Sequence, residues 1–312
     1  MKPTSLLLSV MTFLSAIGLS SCATQAPALT EEHYVNERGE AFGIRKWNWQ
    51  QPETVVIATH GVSGSSKDFE NLGEGLEEDG GGIALLSYEL RGQGLDPVAR
   101  RRGDMKSSER MAGDLYAIDS LVRAQFPEAK VIWLGESMGA LITLHAFTGA
   151  KETQTPDGIA LVSPPLRLER TVPQSQRDLL KFAATIAPRF RLPVDKLKPK
   201  EDVQLTTKST HGEQSVKNPW HLETFTTRLL YRIDQLSEHA YSNFARVNVP
   251  ALLLLGRKDA FTRAKDLQEL SQQVSPETPV RVEIYEKSHH LLFYDVEKKE
   301  VIADTLAWIK SL

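Results

Sequence analysis

The chain has 312 residues, 41% hydrophobic and 25% charged, with a formal net charge of −3 at pH 7. That length suits one large domain with a substantial core, and the balanced charge, without a basic tail, argues against a nucleic-acid partner. Cys22 is the only cysteine, which excludes an internal disulfide and any zinc-type Cys/His spacing.

Lys2 precedes a mostly apolar run, Leu6 to Leu19, which ends in Ser20-Ser21-Cys22. A basic start, a short apolar centre and small residues make a secretory signal, too short for a membrane span. Residues 1–21 are therefore expected to be a signal and 22–32 a short tether. Leu19-Ser20-Ser21-Cys22 resembles the bacterial lipobox, which implies diacylation of Cys22 as the mature N-terminus. Ala23 after the cysteine resembles the pattern that permits outer-membrane sorting. An ordinary signal cut near Ala23 or Ala26 is the competing reading. On the lipobox reading the protein is a lipid-anchored member of the cell envelope.

His33 to Asn36 and Ala41 to Trp49 read as a pair of strands. Thr54 to Thr59 is a short apolar run, strand-like and buried on both faces, and leads into His60-Gly61-Val62-Ser63-Gly64. A helix is expected over Ser65 to Glu78. Asp79-Gly80-Gly81-Gly82 is a turn; it precedes a strand and lacks the G-x-G-x-x-G spacing of a phosphate loop. Ile83 to Leu90 is the next strand, followed by Arg91-Gly92-Gln93-Gly94. Met111, Leu115, Ile118, Leu121 and Val122 fall at helical spacing within Ser107 to Phe126, and Pro127 ends that helix. Further strands are expected at Val131 to Leu134, Gly158 to Val162, Ala251 to Leu255 and Val280 to Tyr285. The matching helices lie at Ala140 to Ala150, Thr262 to Val274 and Val296 to Ile309.

Repeating β-then-α units imply an α/β fold with a mostly parallel central sheet flanked by helices. The alternation breaks from about 166 to 246, where helical patterns and prolines replace buried strands. This stretch reads as a helical cap inserted into a core made of residues 33–165 and 247–312.

The chemistry starts at Gly135-Glu136-Ser137-Met138-Gly139, between an apolar run and a helical pattern. Strand, G-x-S-x-G turn and helix form the signature of a nucleophile elbow, with Ser137 at the apex. A serine nucleophile needs a base, normally histidine, and a group that orients it. In open parallel sheets such groups sit in loops at the carboxyl ends of strands. Asp259 follows one such strand in Gly256-Arg257-Lys258-Asp259, and His289 and His290 follow the next in Ser288-His289-His290. Serine, acid, histidine is the chain order of this architecture. Asp259 has a second possible use as a helix N-cap, and either histidine can be the base. The N–H of Met138, just after the nucleophile, is a candidate oxyanion donor. His60 reads as a structural histidine bonding its own loop, His145 as a packed helical residue, and Arg100-Arg101-Arg102 as a solvated charge run. Asp266 and Glu283 read as solvated.

Together these motifs resemble the α/β hydrolases of the monoacylglycerol lipase, lysophospholipase and prolyl-aminopeptidase group, over about residues 50 to 312. The resemblance rests on His60-Gly61-Val62-Ser63-Gly64, Arg91-Gly92-Gln93-Gly94, Gly135 to Gly139, Gly256 to Asp259 and Ser288-His289-His290-Leu291. It implies an α/β-hydrolase fold, a Ser137–His290–Asp259 triad, a second oxyanion donor at the Val62 N–H, and no metal or organic cofactor. His290 rather than His289 is implied because related enzymes follow the base with two apolar residues, here Leu291-Leu292. Gln93 departs from the family's usual histidine in Arg-Gly-His-Gly.

The implied reaction is hydrolysis of a small-molecule or lipid ester, such as a monoacylglycerol or lysophospholipid. Residues 167–208 carry ten basic and five acidic side chains, a net charge that suits a membrane face. Phe182, Phe190, Trp220, Phe225 and Phe261 are candidates for an acyl pocket. A prolyl-aminopeptidase-type peptidase or amidase is the alternative; it needs an acid for the substrate amine, from Glu201, Asp202, Glu213, Glu223, Asp234 or Glu238. A third reading is a non-catalytic ligand-binding lipoprotein on the same scaffold.

Overall fold

The computed structural model describes residues 25–151, 154–168, 172–193, 203–210, 213 and 217–312. The signal segment and Cys22 lie outside the described residues, as do Glu201 and Asp202.

The first seven strands are β1 (Ala28–Leu29), β2 (His33–Val35), β3 (Ala41–Trp47), β4 (Thr54–Thr59), β5 (Ile83–Tyr88), β6 (Lys130–Glu136) and β7 (Gly158–Val162). After an inserted segment come β12 (Ala251–Gly256) and β13 (Val280–Tyr285). These nine strands form one sheet in the order β1-β2-β3-β5-β4-β6-β7-β12-β13. From β5 to β13 neighbours run parallel; β1, β2 and β3 add an antiparallel edge. The expected tether is thus in part a strand: Ala28 pairs with Val35 and Leu29 with Tyr34.

The central strands are apolar on both faces because helices cover both. Alternation divides their side chains. Val55, Ile57, Val131, Trp133, Leu253 and Leu255 face one core layer. Helices α2 (Ser108–Gln125), α3 (Met138–Gly149), α5 (Thr227–Phe244) and α6 (Ala264–Ser271) pack there. Val56, Ala58, Ile132, Leu134, Leu252 and Leu254 face the other, under α1 (Glu70–Asp79) and α7 (Lys298–Lys310).

The segment between β7 and β12 adds no strand to the large sheet. It carries α4 (Gln174–Ile186) and α5, and α5 packs against α3 and α4. It also carries strands that were not expected: β8 (Arg191–Pro193) pairs with β11 (Thr224–Thr226), and β9 (Gln204–Thr206) with β10 (Ser209–Thr210). Each spans two or three residues, too short for a period-two pattern to register. Because β4, β6, β12 and β13 are parallel, their C-terminal loops gather at one sheet edge beneath this segment. No helix among the described residues is long and apolar enough to cross a membrane.

Candidate active site

Strand β6 ends at Glu136, α3 begins at Met138, and Ser137 turns the chain between them at φ 56° and ψ −124°. A non-glycine residue in that region is strained by about 1–3 kcal/mol. The neighbouring glycines make the turn possible. A Cβ on Gly135 would lie 2.4 Å from the Gly139 carbonyl, and one on Gly139 would lie 2.0 Å from the Thr59 carbonyl. Helix and strand therefore approach closely and lift the serine hydroxyl off the sheet edge.

His290 reaches that hydroxyl from the loop after β13. Its Nε2 lies 2.9 Å from Ser137 Oγ, and its Nδ1 lies 2.7 Å from Asp259 Oδ2. Asp259 does not cap the next helix, whose N-cap is Arg263; its Oδ1 accepts the N–H groups of Phe261 and Thr262 in a local turn at 2.6 and 2.9 Å, while Oδ2 faces the imidazole. Its side chain is fully buried. His289 points elsewhere, with Nδ1 3.0 Å from Asp295 Oδ2. Ser137, Asp259 and His290 are thus brought together and His289 is not.

Val62 and Met138 both line the cavity beside Ser137. Neither backbone N–H donates to an acceptor among the described residues, which leaves two donors for an oxyanion. His60 is fully buried beneath Val62. Its Nε2 accepts the Leu90 N–H at 3.1 Å, so the ring proton sits on Nδ1 and is donated to the Gly61 carbonyl at 2.9 Å. Burial holds its pKa down, so the ring is a neutral strut. Gln93, in place of the family's histidine, is buried too, and its Oε1 accepts the Ser63 N–H at 3.0 Å.

The cavity at the serine measures about 530 Å³. It is lined by the apolar side chains of Leu168, Leu205, Phe225, Leu230, Ile233 and Phe261, and also by Asp68, Glu70 and Glu136.

Residues 50–297 match the family Hydrolase_4, described as serine aminopeptidase, S33. The chain belongs to that family of α/β hydrolases. It is 23% identical over 285 residues to a monoglyceride lipase of Rattus norvegicus, covering 89% of each chain. Among solved structures, a monoacylglycerol lipase of Paleococcus ferrophilus has a TM-score of 0.71 at 22% identity, over 86% of this chain and 98% of the other. A soluble variant of the Saccharomyces cerevisiae monoglyceride lipase, in complex with a substrate analog, has 0.74 at 18%, over 93% and 97%. The fold is that of these α/β hydrolases.

In this S33-family chain several supports of the site carry no sequence signal. Leu205 of β9 accepts the N–H groups of His290 and Leu291 on one carbonyl, both at 3.0 Å. Ser163 donates to the His290 carbonyl at 2.8 Å. The Phe261 ring meets the imidazole edge-on, with centroids 4.7 Å apart. Two expectations need correction. Phe182 and Phe190, offered as pocket aromatics, are 60% and 59% exposed; Trp220, Phe225 and Phe261 do line the cavity. Asp266, expected to be solvated, is buried, and the largely exposed Arg263 donates to both its oxygens at 2.9 and 3.1 Å.

Behind the serine lies a buried acid group. Glu136 is 1% exposed and has an unpartnered Oε1. Burial, then the neighbouring Asp68, raise its pKa well above the carboxylate range. Burial pushes Asp68 up to about 7, against the pull of the Ser65 N–H on its carboxylate. Among the described residues, no cluster of three or more His, Cys, Asp or Glu is arranged to hold a metal ion.

Proposed function

We propose that this chain is a serine hydrolase of carboxylic esters, acting on lipid esters such as monoacylglycerols or lysophospholipids. The observation that carries this reading is the Asp259–His290–Ser137 hydrogen-bonded run. It opens on an apolar cavity beside the two unengaged N–H groups of Val62 and Met138.

In the reaction, Ser137 Oγ attacks the ester carbonyl while His290 Nε2 takes its proton. Asp259 Oδ2 accepts from Nδ1, which fixes the tautomer and stabilises the imidazolium. The Val62 and Met138 N–H groups hold the oxyanion; loss of one such donor costs about two to three orders of magnitude in rate. The imidazolium then protonates the departing alcohol. A water, deprotonated by the same nitrogen, attacks the acyl-enzyme; the imidazolium returns the proton to the departing Ser137 Oγ, and the fatty acid is released.

Ester rather than aminoacyl amide is favoured by the monoglyceride lipase relative from Rattus norvegicus. Of the acids considered as amine anchors, Glu213, Glu223, Asp234 and Glu238 do not line the cavity, and Asp234 is engaged by Arg177 at 2.7 Å. The apolar lining suits an acyl chain.

The protein works at a membrane. A diacylated Cys22 would hold it there as an envelope lipoprotein. Leu179, Phe182 and Ile186 form one exposed stripe of α4 at helical spacing, with Phe190 just beyond, and this face is suited to a lipid surface.

The test is hydrolysis of p-nitrophenyl esters of increasing chain length, a monoacylglycerol and a lysophospholipid, set against a panel of aminoacyl naphthylamides. Ester cleavage that disappears in Ser137→Ala, together with fluorophosphonate labelling, is expected. Undiminished turnover in Ser137→Ala, or cleavage of the amides alone, rejects the reading.

A further inference from the structure

A second hollow, of about 310 Å³, lies between the loop after β5 and the inserted segment. Its charge is one-sided for a chain whose net charge is −3. Eight arginine or lysine side chains line it, against one acid, Asp104. Three of the eight are neutralised within the wall. Arg91 donates to both oxygens of Asp114 at 2.5 and 2.6 Å. Arg101 pairs with Asp96 at 2.7 Å and Glu40 at 2.6 Å, and Arg228 pairs with Asp104.

The other five form no ion pair among the described residues. Arg100, Lys106 and Arg110 come from the core; Arg189 and Arg191 come from the inserted segment. Arg191 gives its N–H groups to neutral oxygens, Thr224 Oγ1 at 3.1 Å and the Arg100 carbonyl at 3.3 Å. Helix α2, of 18 residues, starts at this wall behind its Ser107 N-cap, and adds the positive end of its dipole.

Five like charges around one concavity repel each other unless an anion fills it. The guanidinium fork matches phosphate oxygens. A single carboxylate satisfies one fork; donors on facing walls need an anion with oxygens on several sides. We propose that this hollow binds a phosphate-bearing anion, as a free phosphate or a phosphate ester headgroup, that bridges Arg100, Lys106 and Arg110 to Arg189 and Arg191. The bridge fastens the inserted segment to the core. It is also next to the reactive cavity in sequence: Gly92 and Thr226 line the hollow, while Gln93 holds Ser63 and Phe225 lines the ester pocket. The proposal is independent of the ester-hydrolase reading.

The test uses the full chain at fixed ionic strength, with pyrophosphate and inorganic phosphate in calorimetry and thermal shift. A second arm measures sedimentation with phosphatidylglycerol-containing and with pure phosphatidylcholine vesicles. The difference between the two compositions is read, so an anchor common to both cancels. Arg110→Gln with Arg189→Gln takes one cation from each wall, and Lys299→Gln on α7 is the charge control. Saturable pyrophosphate or phosphate binding, weakened at least tenfold in the double variant and unchanged in the control, supports a free-anion ligand. Preference for anionic vesicles, lost in the double variant alone, supports a lipid headgroup. Wild-type affinity in the double variant for every probe the wild type binds, or no binding of any probe by the wild type, overturns the proposal. Lys106→Gln with Arg191→Gln repeats the comparison if the first pair fails to fold, which circular dichroism reports.

Discussion

Replacing Asp68 by asparagine should make the protein more stable in mild base and leave it nearly unchanged in acid. The carboxyl borders the cavity, and its pKa is raised from 3.8 to about 7, chiefly by burial. Both folded and unfolded chains are protonated there below pH 3.8. As pH rises from 3.8 to about 7, the unfolded chain releases the proton while the folded chain keeps it, so stability falls; above 7 the loss is complete. A shift of about three units is about 4 kcal/mol at 1.36 kcal/mol per unit. That figure is a ceiling, because the residue borders the cavity and water there screens part of the charge. Discounted by half, it is about 2 kcal/mol. An unfolding entropy of about 2.1 cal/mol/K per residue then gives roughly a 3 °C rise in Tm. The replacement amide also keeps an oxygen for the Ser65 N–H, which is donated at 3.0 Å. Thermal unfolding at pH 4.5 and pH 8.5 is the assay. The gap between variant and wild type should open from near zero to a few degrees. An equal gap at both pH values would refute the reasoning.

Asp259→Asn should cost about 10⁴ in kcat with the fold intact: the amide oxygen stays with the Phe261 and Thr262 N–H groups, and the amide N–H₂ faces His290 Nδ1, forcing the wrong tautomer. Steady-state ester kinetics with a circular-dichroism control decide this. His289→Gln should keep kcat within a few-fold while His290→Gln abolishes it, since only His290 touches Ser137; equal losses would count against the assignment. Leu230→Trp on the apolar wall should shift the ester series toward shorter chains with little change for the shortest, read as KM against chain length.

Much of the fold is visible in the sequence because buried parallel strands are short apolar runs, and glycine-rich turns mark their C-terminal ends. The same reasoning leads to Ser137 and Asp259, each in a loop just after its strand. His289 and His290 are harder to separate by spacing alone, since adjacent residues share a loop; what divides them is Asp295, which takes one ring, and Ser137 with Asp259, which take the other. Leu205 carries no signal at all, because it acts through its backbone carbonyl, and any side chain leaves that group available. Asp266 misleads because a charged residue on a helix is ordinarily solvated, and its partner Arg263 matters only once the helix forms. Phe182 and Phe190 mislead for the opposite reason. Aromatic residues usually find a core, and neither Phe182 on α4 nor Phe190 just beyond it finds one among the described residues.

On the proposed mechanism, the inserted segment is part of the catalytic scaffold as well as its roof. The imidazole is held from four directions: Asp259 at Nδ1, Phe261 against the ring, Ser163 on the carbonyl and Leu205 on the N–H. Only the last comes from between α4 and α5. An imidazole that must exchange a proton with Ser137 at 2.9 Å tolerates little displacement. Movement of β9 therefore acts on the base itself through one carbonyl, and not merely on access to the cavity. Leu205 also lines the apolar wall, so an acyl chain pressing on its side chain bears on the residue that anchors His290. On the proposed mechanism, the acyl-chain wall and the support of the base therefore meet in a single residue of the fold.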